Sequence, residues 1–156
     1  VTLNGPLWVT GNITIKDSSR VTIGSSVGDK SVPIIADNLS DHVTSSKITL
    51  QNSARFAGNG GANSYVILIS QNNSAEINGG GDAIVVKDSG NKGPILVYAN
   101  HGNIDIENSG TLKQVSGYKI SIEDSAKIIY PSELDSLLFS SGQAGSFEIN
   151  GWREVK

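Results

Sequence analysis

The sequence contains no cysteine, no methionine, four prolines and only 6% aromatic residues in 156. Without cysteine there is no disulfide framework, no thiolate nucleophile and no cysteine metal site. No apolar run approaches the roughly eighteen residues of a membrane helix, and no signal peptide opens the chain. It begins at Val1 rather than Met; the expectation is a fragment or processed product whose membrane anchor lies upstream. Charge is sparse as well, at 17%, and the 12 basic and 15 acidic residues are mixed along the chain for a net charge of -3. That mixture supplies no basic patch to collect phosphates, so nucleic acid is not an expected partner.

What is present is turn-forming and aliphatic. Eighteen glycines with many Ser and Asn accompany 37% hydrophobic residues, enough to bury a core in one domain of this length. Most of the hydrophobic residues are Ile, Val and Leu, which favours strands.

Five segments align on one template: ITIKDSSRV (13–21), ITLQNSARF (48–56), IVVKDSGNK (84–92), IDIENSGTL (104–112) and ISIEDSAKI (120–128). Ile13, Ile48, Ile84, Ile104 and Ile120 form one apolar column; Ile15, Leu50, Val86, Ile106 and Ile122 form a second. A period of two places both columns on one face of a strand. Asp or Asn followed by Ser then turns the chain, because these side chains tolerate unusual backbone angles and bind their own backbone. Irregular spacing with constant strand positions is the mark of a solenoid whose corners accept insertions. The expected fold is therefore all-β: one domain, a right-handed parallel β-helix of about five coils.

Stacking in register would run the corners Asp17, Asn52, Asp88, Asn108, Asp124, with no two carboxylates adjacent, and would set Lys87 beside Glu107. The third copy is weak. Lys92 falls in the column otherwise held by Val21, Phe56, Leu112 and Ile128, so a local bulge or shift is expected there, with Ile95 replacing it in the core.

A second strand family, PLWV, PIIA, YVILI and PILVY, is apolar on both faces. A β-helix wall needs apolar residues only inside, so the outside of this wall is expected to be covered. The covering element could be segment 37–46, Leu134–Phe139, an upstream segment or another subunit. Alternatively the face is a docking surface that includes Trp8, Ile67, Ile69, Leu96 and Tyr98. PSELDSLLF (131–139) reads as a short helix or cap near 132–139, and SFEINGWREVK as a C-terminal closing strand carrying Phe147, Ile149 and Trp152.

No constellation announces a reaction. Asp105 and Glu107 share one strand face roughly 6 to 7 Å apart, within the range for a glycosidic acid pair, but alternating polar residues on a solvated strand look the same. His42 and His101 are isolated, NGGGDAI (78–84) is one fragment of a calcium repeat that needs several copies, and no catalytic residue, metal ligand or cofactor is expected.

GPLWVTGNITI, SYVILIS, GPILVYANHGNIDIENSGTLKQVSGYKISIEDSAKIIY and FSSGQAGSFEINGWREVK together resemble the C-terminal region of bacterial type IV pilus-assembly proteins of the PilX type, with Phe147 where that pattern has Trp. The resemblance implies a non-enzymatic, extracellular or cell-surface solenoid with structural, adhesive or assembly roles. Its implied partners are its own upstream segment, pilus subunits or another copy of itself, with membrane contact only through the missing anchor. It carries across no functional residues. The alternatives from other classes are a carbohydrate-binding or carbohydrate-active β-helix meeting a surface glycan, and a polymerising scaffold resembling bactofilins.

Overall fold

The computed structural model describes residues 1–87, 90–108 and 110–130. Strands β1 (Thr2–Leu3), β2 (Leu7–Val9), β3 (Ile13–Ile15) and β4 (Arg20–Ile23) lead to one 3-10 turn at Ser25–Val27. Next come β5 (Val32–Ala36), β6 (Ile48–Gln51), β7 (Arg55–Ala57), β8 (Val66–Ser70), β9 (Asp82–Lys87) and β10 (Gly90–Asn91). The last are β11 (Ile95–Glu107), β12 (Gly110–Leu112), β13 (Gln114–Ile122) and β14 (Lys127–Ile128). Among the described residues the chain is all-β, and no helix is long and apolar enough to cross a membrane.

Among the described residues every strand pairing is parallel, and the strands fall into three walls. Wall A stacks β2, β5, β8 and the first parts of β11 and β13. Wall B stacks β3, β6, β9 and the second parts of β11 and β13. Because β11 runs through both walls, A and B join into one nearly closed eight-stranded sheet. Wall C consists of two three-stranded sheets, β1-β4-β7 and β10-β12-β14.

The repeat alignment is the pairing register of wall B. Ile13 pairs with Ile48, Ile48 with Ile84, Ile84 with Ile104 and Ile104 with Ile120. The second column runs in parallel through Ile15, Leu50, Val86, Ile106 and Ile122. Period-two alternation turns both columns inward, and Ile48, Leu50, Ile84, Val86, Ile104 and Ile106 are fully buried. They meet Ile34, Leu68 and Val97 of wall A and Val21, Phe56 and Leu112 of wall C in one core. On the outermost described strands the inward columns are more open: Leu7 in wall A is 40% exposed, and Ile122 in wall B is 51% exposed.

The corners after wall B are left-handed. Asp17, Ser18, Asn52, Ser53, Asn108, Asp124 and Ser125 all have positive φ, the region that Asp and Asn enter more readily than other non-glycine residues. The Asn52 amide donates to Asp17 Oδ1 at 3.1 Å, so the stacked corners bind each other where two carboxylates would repel. Asp88 lies outside the described residues. Lys87 and Glu107 pair at 3.3 Å on the outer face of wall B, a surface contact worth under about 1 kcal/mol.

The third copy departs from the expectation made for it. Wall C is interrupted between β7 and β10, as a local irregularity requires, but Ile95 does not take over the column. It pairs with Val66 in wall A, and Lys92 itself is buried at 2% exposure. The chain recovers at Gly93, whose φ of 91° and contact with the Phe56 carbonyl leave no room for a Cβ. A lysine stem is long and apolar enough to occupy a core column. The cap near 132–139 and the closing strand with Phe147, Ile149 and Trp152 lie outside the described residues.

Candidate functional site

Register decides which residues of wall A face outward. Trp8, Ile35, Ile69 and Tyr98 are partners on successive strands, followed by Ser116. Pro33, Ile67 and Leu96 form a second outward column that ends at Gln114. All five residues proposed for a docking face, Trp8, Ile67, Ile69, Leu96 and Tyr98, therefore lie on the outer side of one wall.

Their exposure divides them. Trp8 is 58% exposed, whereas Ile67 is buried and Leu96 is fully buried. Ile67 and Leu96 join Tyr65 in a second small apolar cluster with Ile69 and Tyr98 packed against it, separate from the main core. Ile67 and Leu96 are thus covered within the chain, and Trp8 on β2 is the exposed member of the set. Burial pushes the Tyr98 hydroxyl up to about 12, with Tyr130 adding to the effect.

Two insertions occupy the junction of walls A and B. Segments 37–47 and 71–81 are held together by buried Asn72, whose side-chain amide donates to the carbonyls of Val43 (2.9 Å) and Ser45 (2.7 Å). The Ser70 hydroxyl donates to the Ser46 carbonyl at 2.6 Å. His42 Nε2 lies 2.7 Å from the buried Asp37 carboxylate, and His101 Nδ1 lies 2.6 Å from Glu76. Each histidine thus ties an insertion or bend locally. Segment 37–46, one expected cover for wall A, is placed by these bonds at the junction.

The acid pair of the sequence sits on the outer face of wall B. Asp105 is pushed up to about 6, by desolvation first, then by the Glu107 carboxyl beside it, then by the charges of Asp82 and Glu123. Asp82 also accepts a hydrogen bond from the Asn103 amide at 2.6 Å. Among the described residues no group of three or more His, Cys, Asp or Glu side chains could hold a metal ion.

Sequence reading did not find an open groove of about 430 Å³ at the corner between walls C and A, lined by Ala57, Gly58, Gly61, Tyr65, Pro94 and Lys113. Its residues come from separate passes of the chain, so no local motif contains them. The cluster of glycines at 58–61 was the available signal.

No family model matches the chain, and neither the curated proteins nor the solved structures include a match to it.

Proposed function

We propose that this chain is a non-enzymatic structural and interaction module, a right-handed parallel β-helix of about five coils that meets its partner through the outer face of wall A at Trp8. The observation that carries this reading is the exposed indole of Trp8 at the head of an apolar ladder whose later members are covered. Tryptophan is enriched among the few residues that dominate protein interfaces, because it buries a large rigid surface at low entropic cost. The coil reading draws on the order in which the chain visits walls B, C and A, on the parallel register and on the left-handed corners. Each coil then shares its apolar side with its neighbours, which a single turn could not bury alone.

The partner is an upstream segment, a pilus subunit or a second copy, on a bacterial cell surface or pilus. That placement rests on the sequence resemblance to PilX-type proteins. A photo-cross-linking amino acid at position 8, in cells making the whole protein, is expected to give a discrete adduct. The same residue at position 39, where Leu39 is 80% exposed, is the control. Absence of an adduct at position 8, or equal adducts at both positions, contradicts the reading.

A carbohydrate-binding or carbohydrate-active role is the second reading, favoured by Asp105 and Glu107. Their backbone positions are roughly 6 to 7 Å apart on one outward strand face, and the proton affinity of Asp105 is raised. The two side chains are hydrogen-bonded to each other, closer than a glycosidic acid pair, so the reading requires them to part around a ligand. Glycan binding together with reducing-end release from acidic polysaccharides separates this reading from the first; silence in both assays excludes it.

A further inference from the structure

We propose that the surface running from β4 and β7 into the groove is a binding track for an acidic polysaccharide, with Arg20, Arg55 and Lys113 as its anion ligands. The idea builds on the carbohydrate-binding reading and is independent of the Trp8 face, which lies on another wall.

Arg20 and Arg55 are register partners on neighbouring strands of wall C, and both are exposed. Parallel neighbours stand roughly 4.8 Å apart, so two cationic side chains rise side by side, a pairing that like charges oppose. Elsewhere the chain answers charge with its complement: Lys87 meets Glu107, and Asn52 binds Asp17. Here nothing answers. Among the described residues neither guanidinium forms an ion pair, and neither does Lys113, although acids outnumber bases by 15 to 12 in the sequence. An external oxyanion completes such an arrangement, because the guanidinium fork matches the edge of a carboxylate or sulfate.

The surroundings select the ligand class. Two residues along the same strands, the outward positions are Thr22 and Ala57, themselves partners, so the wall beside the arginines carries only short side chains. Ala57 is also the near rim of the groove, and Lys113 stands among its lining residues. At about 430 Å³ the groove falls within the size range of ligand sites. Its lining includes Gly58, Gly60, Gly61 and Ala62, whose side chains are no larger than a methyl group, so this part of the groove leaves room for a sugar ring. Those glycines are structurally enforced: a Cβ on Gly58 would strike the Ser64 carbonyl, and one on Gly61 the Asp29 carboxylate. Arg20 and Arg55 lie two residues before Thr22 and Ala57 on the strands that lead to the rim, and Lys113 lies in the lining, so the track calls for anions at two separate places. A polymer with a charge on successive sugars supplies that, and a single small anion does not. Three cations on a net acidic chain release too few counterions to hold nucleic acid at physiological salt.

The test uses the whole chain and beads carrying polygalacturonate, alginate or heparin, with neutral dextran, poly-glutamate and duplex DNA as comparison arms at about 0.15 M salt. The wild type is expected to be retained by at least one acidic polysaccharide and to pass the comparison arms. The Arg20→Gln/Arg55→Gln double variant and Lys113→Gln are each expected to weaken binding at least about tenfold. Lys119→Gln, an exposed cation on wall B, is expected to leave it unchanged. Arg20 and Arg55 are exposed and Lys113 is half-buried, and coincident thermal unfolding curves check that the fold is kept. Retention by none of the polysaccharides overturns both this proposal and the carbohydrate-binding reading. Retention that the substitutions leave untouched overturns only the track, and equal retention on poly-glutamate or DNA overturns the assigned ligand class.

Discussion

Asp105 stands on the outer face of wall B with Glu107 two residues along its strand and Asp82 and Glu123 close enough to act on it, and its Oδ1 is shielded from solvent. The folded chain holds its proton up to about pH 6, while an unfolded carboxyl of this type ionises near pH 4. Between those values the native state binds a proton that the unfolded state has released. Stability therefore falls as pH rises from about 4 to about 6 and levels off above. Asp105→Asn removes the effect. Its urea midpoint is expected to vary less across that window, and above pH 6 it should exceed the wild type by an amount of order 1 kcal/mol once solvent screening is allowed for. An unchanged pH slope in the variant contradicts the assignment. Single residues were unevenly legible in the sequence. The corner pairs Asp17-Ser18 and Asn52-Ser53 announced themselves, because few residues enter left-handed backbone without glycine. Lys92 did not, because its charge argues for solvent while its stem suits a core column.

At the scale of the strand, parity carries the argument. Leu68 and Ile69 are adjacent in β8, yet Leu68 is fully buried in the main core and Ile69 packs against the smaller outer cluster. On wall A, Leu68→Ala is expected to cost about 2 to 4 kcal/mol by leaving a cavity. Ile35→Ala, on the outward column between Trp8 and Ile69, is expected to cost less than about 1 kcal/mol. Chemical denaturation of the two variants measures both; equal losses contradict the inward and outward assignment. Period two made this parity readable in wall B, where polar residues mark the outside. In wall A both faces are apolar, so the sequence revealed that something covers the wall but not where. The exposure of Trp8 and the burial of Leu96 depend on what lies above the strand, which a strand's own pattern does not encode.

At the scale of the molecule, five short segments separated by 35, 36, 20 and 16 residues come into a single register on wall B. That was legible because inward columns tolerate no slip: a shift of one residue would turn every isoleucine to solvent. The groove and the proposed track beside it were not legible, since Arg20, Arg55 and Lys113 belong to different passes of the chain and it is stacking that pairs Arg20 with Arg55. The in-register stack is the premise for the corner contacts, the acid pair, the Trp8 ladder and the cationic track alike. It can be tested by placing nitroxide labels on outward positions of wall B, through cysteines in a chain that has none of its own. Thr14 and Val85 are two strand spacings apart, and Thr14 and Ser121 are four. Electron paramagnetic resonance is expected to give backbone separations near 10 Å for the first pair and near 19 Å for the second, in proportion to the strand spacing of about 4.8 Å. A second distance that does not grow with the number of strands between the labels would contradict the stack.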